Sequence, residues 1–327
     1  MVLHIVLFLV LNLGFQSIGA QNLEVGFYND KKRCPNAESI VREEVAKAFV
    51  KDKGIAPGLV RMHFHDCFVR GCDCSILIDS TPGNLAEKDG PPNGITLRGF
   101  EVIYNAKSRL EAECKGVVSC ADILAFAARD SARITGGMYW DVPAGRRDGT
   151  ISRASETVDL PPPFGNLTVI TQAFLKKGLT QREMVALVGA HTIGRSHCTS
   201  FSNRLYNFSN TNSQDPSLDP FYATLLKHEC PRGPRGTVDP NRVVEMNLSP
   251  ATMDPSYFTD VLHRRGLFTS DNALTTSTNT KDQADSYAED FVQWQKDFVQ
   301  AMIRMSEIQV LTGTLGEIRT NCSRINS

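Results

Sequence analysis

The stretch Arg61-Met62-His63-Phe64-His65-Asp66-Cys67 places a guanidinium and an imidazole four residues apart. On a helix, residues i and i+4 share a face, so Arg61 and His65 project together. Burial lowers an imidazole pKa, and a neighbouring positive charge lowers it further. The pair would be a neutral base beside a permanent cation. That suits a reaction that takes a proton from one oxygen and stabilises charge developing on the next. The plainer alternative is a surface arginine and a core histidine with separate partners. His63 should face elsewhere and make a structural hydrogen bond. A zinc site from His63, His65 and Asp66 is disfavoured, because i and i+2 side chains diverge on a helix.

A second group follows at once: Asp66, Asp73, Ser75 and Asp79, with Gly71 and two cysteines in the turn. Carboxylates, a hydroxyl and loop carbonyls within a few residues can wrap calcium, although the spacing is not that of the twelve-residue helix-loop-helix motif. A solvated acidic turn is the alternative. Further on, Met184 to Gly194 is an apolar stretch ending around His191. Such a histidine is either a satisfied core residue or an axial ligand on a dry wall. A ligand imidazole gives its other N–H to a carboxylate or carbonyl, and Asp271 in Thr269-Ser270-Asp271 is a candidate.

Helices must position these residues. Helical periodicity marks 37–51, 56–68, 100–113, 119–135, 166–177, 181–189 and 291–307. Pro57 suits a first turn. Sustained alternation is scarce, so the expected fold is all-α with long structured loops. With 327 residues and 41% apolar content, the chain can bury a sizeable core. The net charge of −1 gives no nucleic-acid or anionic-membrane footprint. The start, 2–10, is almost wholly apolar and fades into small residues. It reads as a signal peptide over 1–20, although it has no Lys or Arg, with a membrane anchor as the alternative. The domain is then expected over 21–327. Nine cysteines scattered behind such a leader favour disulfides over zinc and leave one thiol over. Spacing alone does not choose the pairing. Sequons at Asn166, Asn207, Asn247 and Asn321 fit the same secretory route.

Eight segments in order resemble the plant secretory haem peroxidases. They are Arg61-Met-His-Phe-His-Asp-Cys-Phe-Val, Gly71-Cys-Asp, Leu97-Arg-Gly-Phe-Glu, Val118-Ser-Cys-Ala-Asp-Ile, Val142-Pro-Ala-Gly-Arg-Arg-Asp, Leu187-Val-Gly-Ala-His-Thr-Ile-Gly, Gly266-Leu-Phe-Thr-Ser-Asp and Gly316-Glu-Ile-Arg-Thr-Asn-Cys. The resemblance implies an all-α haem-peroxidase fold, with one haem b between distal and proximal halves. It implies a secreted enzyme that reduces hydrogen peroxide while oxidising phenolic donors in one-electron steps. By this resemblance His191 is the axial iron ligand and Asp271 its partner. His65 is the acid–base group, Arg61 the charge stabiliser, and Asn93 the residue orienting His65. Glu87 links Asn93 to the calcium region, and Pro161 lies near bound aromatic donors.

Two calcium ions also carry over from the resemblance. Distal ligands would be Asp66, Val69, Gly71, Asp73 and Ser75, with Val69 and Gly71 using carbonyls. Proximal ligands would include Thr192, Ser249, Thr252 and Asp254. The family's disulfides map to Cys34–Cys114, Cys67–Cys72, Cys120–Cys322 and Cys198–Cys230, leaving Cys74 as a buried thiol. Asp122 and Arg146 match a buried ion pair. The sequence departs from the family at Asn247, where an aspartate is expected, in a segment one residue shorter before Asp254, and at Ile95, a commonly polar position. The expected protein is a monomer outside the membrane, in the extracellular space or cell wall, without nucleic-acid partners. The absence of a long extension after Cys322 favours that location over the vacuole. A catalytically silent haem or calcium protein of the wall is the competing reading, which the presence of both Arg61 and His65 disfavours.

Overall fold

The computed structural model describes residues 22–31 and 33–327, so the expected leader lies outside them. The chain is helical, in the order α1 (Ala37–Lys51), α2 (Ile55–Val69), α3 (Phe100–Glu113), α4 (Cys120–Ile134), α5 (Leu167–Lys176), α6 (Gln181–Val188), α7 (Ser202–Tyr206), α8 (Pro220–Glu229), α9 (Ser256–Leu262), α10 (Thr269–Ala273), α11 (Thr278–Glu289) and α12 (Phe291–Met305). Two small antiparallel pairs join distant segments. β1 (Glu24–Val25) pairs with β2 (Pro143–Ala144), and β3 (Arg195–His197) pairs with β4 (Val243–Glu245). The all-α expectation matches this architecture. The long loops between 198 and 290 contain α7 to α11, which periodicity did not mark.

Side-chain caps set several helix starts. Ser119 accepts the Asp122 N–H at 3.1 Å and opens α4. Asn166 accepts from Val169 at 3.0 Å and opens α5. Thr180 and Glu183 form a reciprocal capping box at α6. Each cap satisfies an N–H that the first helical turn leaves unpaired. Central α4 is buried along almost its whole length, with small residues Ala121, Ala125, Ala127, Ala128 and Ala132 that let α1 and α2 approach closely. On the other side α12 packs on α6. A smaller core of Phe201, Leu205, Leu218, Leu226 and Leu267 sits beneath the Cys198–Cys230 bridge.

Four disulfides join Cys34 to Cys114, Cys67 to Cys72, Cys120 to Cys322 and Cys198 to Cys230. Cys74 is free and buried, with a left-handed φ of 61°. Burial, then the Asp66 carboxylate, raises its thiol well above the usual range, so a reactive thiolate is suppressed. Among the sequons, Asn166, Asn207 and Asn321 are exposed, whereas Asn247 is half-buried. No helix among the described residues is long and apolar enough to cross a membrane.

A buried ion pair in the core ties four segments together. Arg146 donates to Asp122 Oδ1 at 2.8 Å, and both side chains are fully buried. Tyr28 Oη donates to Asp122 Oδ2 at 2.7 Å, while Arg146 Nε and Nη2 reach the Ser306 carbonyl at 2.9 and 2.8 Å. Removing one partner strands a buried charge. Asp122→Ala should therefore lower unfolding free energy by about 3–5 kcal/mol. Guanidinium unfolding followed by tryptophan fluorescence checks this, and a change near zero would remove the pair from the account of stability.

Candidate active site

Arg61 and His65 lie on α2, one turn apart and on the same side. Three acceptors hold the guanidinium. Arg61 Nη1 donates to the Thr96 carbonyl at 2.8 Å and to Thr96 Oγ1 at 3.0 Å, and Nη2 donates to the Pro92 carbonyl at 3.0 Å. No carboxylate is among these partners, so its charge is positioned without being neutralised. Burial lowers its pKa to about 10, which still leaves it charged at neutral pH.

His65 is buried, and its Nδ1 lies 2.5 Å from Asn93 Oδ1. The Asn93 amide is fixed in turn, because Nδ2 donates to the Glu87 main-chain carbonyl at 2.6 Å. A carbonyl only accepts, so Asn93 Oδ1 must be the atom facing the imidazole. Nδ1 therefore carries the proton and Nε2 is left as an acceptor. Burial, then Arg61, holds the imidazole well below its usual pKa, while the Asn93 bond opposes them. The result is a neutral base of defined tautomer beside a fixed cation. Glu87 reaches Asn93 through its backbone, not its carboxylate.

His191 follows α6 in the short turn Gly189–Thr192. Its Nδ1 lies 2.8 Å from Asp271 Oδ1. Asp271 also accepts from Tyr257 Oη at 3.1 Å and from the Phe268 N–H at 2.7 Å. The carboxylate is thus an acceptor for three donors, which assigns the proton to His191 Nδ1 and leaves Nε2 free. Tyr257 and Phe268 stand edge-on to the imidazole, with ring centroids 5.8 and 5.2 Å away. Although Asp271 is sealed at 1% exposure, the His191 side chain is 36% exposed. The imidazole therefore opens outward from a dry, carboxylate-backed wall. Gly189 admits no Cβ, which would stand 2.5 Å from Trp294 Nε1. Trp294 of α12 donates to the Ala186 carbonyl at 3.0 Å and fixes this turn.

Buried Arg204 positions Asp271 from below. It pairs with Asp215 at 2.7 Å and donates through Nη1 to the carbonyls of Gly266, Leu267 and Phe268 at 2.7, 3.0 and 2.9 Å. That locks the turn entering α10. Pro161 is half-buried in the Pro161-Pro162-Pro163 run. The run is tied to α10 by the Ser270 N–H donating to the Pro163 carbonyl at 3.0 Å.

The distal acidic loop is brought together. Asp66 Oδ2 accepts the Cys74 N–H at 2.9 Å, and Asp73 Oδ1 accepts the Ser75 N–H at 3.0 Å. Gly71 has φ 99°, and a Cβ there would meet the Gln309 carbonyl at 2.7 Å, so glycine is required. The Val69 carbonyl also accepts from Lys177 Nζ at 2.9 Å, which still leaves a lone pair. Burial, then Asp73, raises Asp66 well above the usual carboxylate range, and burial also raises Asp73. Glu87 is pushed up to about 8 by burial first. Ser75 Oγ and both Glu87 carboxylate oxygens are buried without hydrogen-bond partners. Clustered buried carboxylates with an orphaned hydroxyl fit a hard divalent cation. Asp79 is not part of this cluster and pairs with Lys88.

The proximal residues also meet. Thr192 Oγ1 and Ser249 Oγ donate to Asp254 at 2.9 and 2.5 Å. Thr252 contributes its N–H to the Ser249 carbonyl at 2.9 Å. Burial opposes ionisation of Asp254, but the donors Ser249 and Ser256 hold it below the usual carboxylate range. Asn247 and Ser256 join this network, and neither was among the expected ligands. The zinc alternative is not assembled. Among the described residues, the one set of three His, Cys, Asp or Glu ligand atoms within 4.8 Å of one another is His63, Cys67 and Cys72, and its two sulfurs are bonded to each other. His63 instead packs its ring nitrogens 3.8 and 3.9 Å from Cys67 Sγ.

Sequence reasoning missed the carbonyls of Pro92 and Thr96 around Arg61, and Tyr257 on Asp271. Nothing in their local spacing pointed to those contacts. Both the imidazole set with free Nε2 atoms and the apolar wall at His191 fit an iron porphyrin.

The Peroxidase family profile matches residues 41–290. "Peroxidase 5" of Vitis vinifera is 61% identical over 307 residues, covering 93% of this chain and 92% of its own length. "Peroxidase 3" of Arabidopsis thaliana is 48% identical over 309 residues, covering 93% and 92%. "Peroxidase 1" of Zea mays is 47% identical over 308 residues, covering 93% and 83%.

The buried histidines also set an acid limit on stability. Burial, then Arg146, lowers His63 to about 3, and His65 is likewise depressed. Between these values and the unfolded value of about 6.5, the unfolded chain binds more protons than the folded one. Their stabilisation is complete above that upper value and is lost as pH falls through the window. Calorimetry should show unfolding free energy dropping with a slope of ~1.4 kcal/mol per pH unit for each such histidine. His63→Gln should reduce the slope by about one proton; an unchanged slope would show that His63 is not the source.

Proposed function

Because the chain belongs to the peroxidase family, we propose that Arg61, His65 and Asn93 carry its peroxide chemistry and that His191, with Asp271, holds its haem. The enzyme's general reaction reduces hydrogen peroxide while oxidising donor molecules. The family implies haem, and the bound iron supplies a site for peroxide and a store of oxidising equivalents.

The chain's own residues do the rest. His191 Nε2 is the atom offered to iron. Asp271, by accepting at Nδ1, fixes the ring and gives it anionic character. His65 Nε2 would accept the peroxide proton and return it to the leaving oxygen. Asn93 keeps that nitrogen unprotonated between turnovers by holding the proton on Nδ1. Arg61 stabilises the negative charge that grows as the oxygen–oxygen bond lengthens. The observation that carries this reading is the Glu87 carbonyl–Asn93–His65 chain beside an uncompensated Arg61.

In the fuller proposal the porphyrin is haem b, and donors are phenolic or aromatic molecules oxidised one electron at a time near Pro161. Asp66, Val69, Gly71, Asp73 and Ser75 would hold a distal calcium, with Glu87 behind them. The protein would be a secreted monomer of the extracellular space or cell wall, its mature domain beginning after residue 20. The leader, the scattered disulfides and the exposed sequons support that location.

Stopped-flow mixing of holoprotein with peroxide tests the roles. Arg61→Leu and His65→Ala should each slow the first spectral change by about 10²–10⁴-fold with haem retained. Wild-type rates in either variant would defeat the mechanism. The pH profile separates the two partners of His65. Arg61→Leu removes a neighbouring cation and should move the acid limb to higher pH. Asn93→Ala removes an acceptor that favours the protonated ring and should move it lower. His191→Ala should weaken haem retention, read from the Soret band after gel filtration.

A further inference from the structure

A second cation site behind His191 would need the oxygens of Thr192, Ser249 and Asp254 to converge on an ion. In this chain another group already occupies their attention. Asn247 Oδ1 accepts the Ser249 backbone N–H at 2.9 Å. A backbone N–H can only donate, so this contact fixes which end of the carboxamide is oxygen. Asn247 Nδ2 must then face the cluster. It donates to the Thr192 carbonyl at 2.7 Å and Ser256 Oγ at 2.7 Å, and lies 3.2 Å from Thr192 Oγ1. Three hydroxyls turn to one carboxylate. Thr192 Oγ1, Ser249 Oγ and Ser256 Oγ contact Asp254, whose Oδ1 also accepts the Ser256 N–H at 2.9 Å.

We infer that the Asn247 carboxamide substitutes for a proximal calcium, so that this chain binds one calcium, in the Asp66–Asp73 loop, where the resemblance implied two. Two facts carry this. First, the charge count differs. The distal loop has Asp66 and Asp73 with Glu87 behind, whereas the proximal set has Asp254 alone, and affinity for calcium follows ligand charge and number. Second, the amide hydrogens point at the same oxygens that would face the ion. Turning the carboxamide over to present its oxygen would remove the acceptor from the Ser249 N–H and strip the Thr192 carbonyl of its donor. The closed network does locally what an ion would do. It ties the residue next to His191 to the loop before α9.

The distal half of this inference rests on the calcium reading proposed above. The test therefore compares wild-type holoprotein with Asp73→Asn and Asn247→Asp. Each is dialysed against a chelator-buffered solution of micromolar free calcium, and bound calcium per chain is measured by atomic emission. Wild type should hold one equivalent, Asp73→Asn none and Asn247→Asp two. Two equivalents in wild type would overturn the inference. So would one equivalent surviving in Asp73→Asn, since the ion would then sit at the proximal loop. A folded Asn247→Asp protein that gains none would overturn it as well. No calcium in wild type but one in Asn247→Asp would sink the distal reading, and with it the count of one, and would support only the substitution of the Asn247 carboxamide for a proximal ion. If Asn247→Asp does not fold, the other two proteins still decide.

Discussion

Two imidazoles on separate elements each have Nδ1 tied to an acceptor far along the chain, and the rest of the site depends on that constraint. His65 is held by Asn93 and His191 by Asp271, at separations of 28 and 80 residues. An imidazole has two nitrogens, and the hydrogen bond made by one decides what the other can do. A neutral amide oxygen at His65 leaves a neutral acceptor poised for proton transfer. A buried carboxylate at His191 makes the ring a stronger electron donor. The same side chain is thus given two electronic characters by its second partner, and the fold's task is to bring those partners in.

That task explains where the molecule invests buried polar groups. Asn93 is fixed by the Glu87 carbonyl, and Glu87 itself is set by the Ser152 hydroxyl on its N–H at 3.0 Å. Asp271 is fixed by Tyr257 and by the Phe268 N–H, and the turn before it by Arg204. A buried arginine that spends its donors on main-chain carbonyls and one aspartate acts as a rigid connector for irregular backbone. Arg146 does the same between Asp122 and Ser306, and Arg319 Nη2 donates to the Cys74 carbonyl. In a helical protein with long loops, these pairs replace the sheet ladders that would otherwise align distant segments.

The parts legible in sequence were those encoded locally. Long periodic helices such as α1 and α3 were readable at their bounds, and Ser119 and Asn166 proved to be caps at helix starts that had been marked one residue early. The pairing of Arg61 with His65 followed from helical spacing, and a carboxylate for His191 followed from the chemistry of a ligand imidazole. What stayed hidden was non-local. Helices of five residues, α7 and α10, carry too few positions for a period and are held by Arg204 instead. The acceptors of Arg61 are backbone carbonyls, which any residue supplies, so side-chain identity could not announce them. Asn247 was visible as a departure, but the direction of its amide is set by the Ser249 N–H, a three-dimensional fact.

The two polar clusters flanking the site solve one problem by opposite means. Each adjoins a residue neighbouring a functional histidine: Asp66 follows His65, and Thr192 follows His191. Each must pin a loop onto that point without a regular element. The distal loop concentrates carboxylates in a dry setting and leaves Ser75 and Glu87 oxygens unpaired, which is the environment the proposed calcium would fill. The proximal loop is satisfied internally, because a carboxamide supplies donors where a carboxylate would supply repulsion. A cluster of buried carboxylates costs stability while it lacks a counter-charge, whereas a single carboxylate met by several donors, as at Asp254, costs little. Sensitivity to calcium should then fall on the side of the site that handles protons, and the imidazole backed by Asp271 should keep its geometry independently of it.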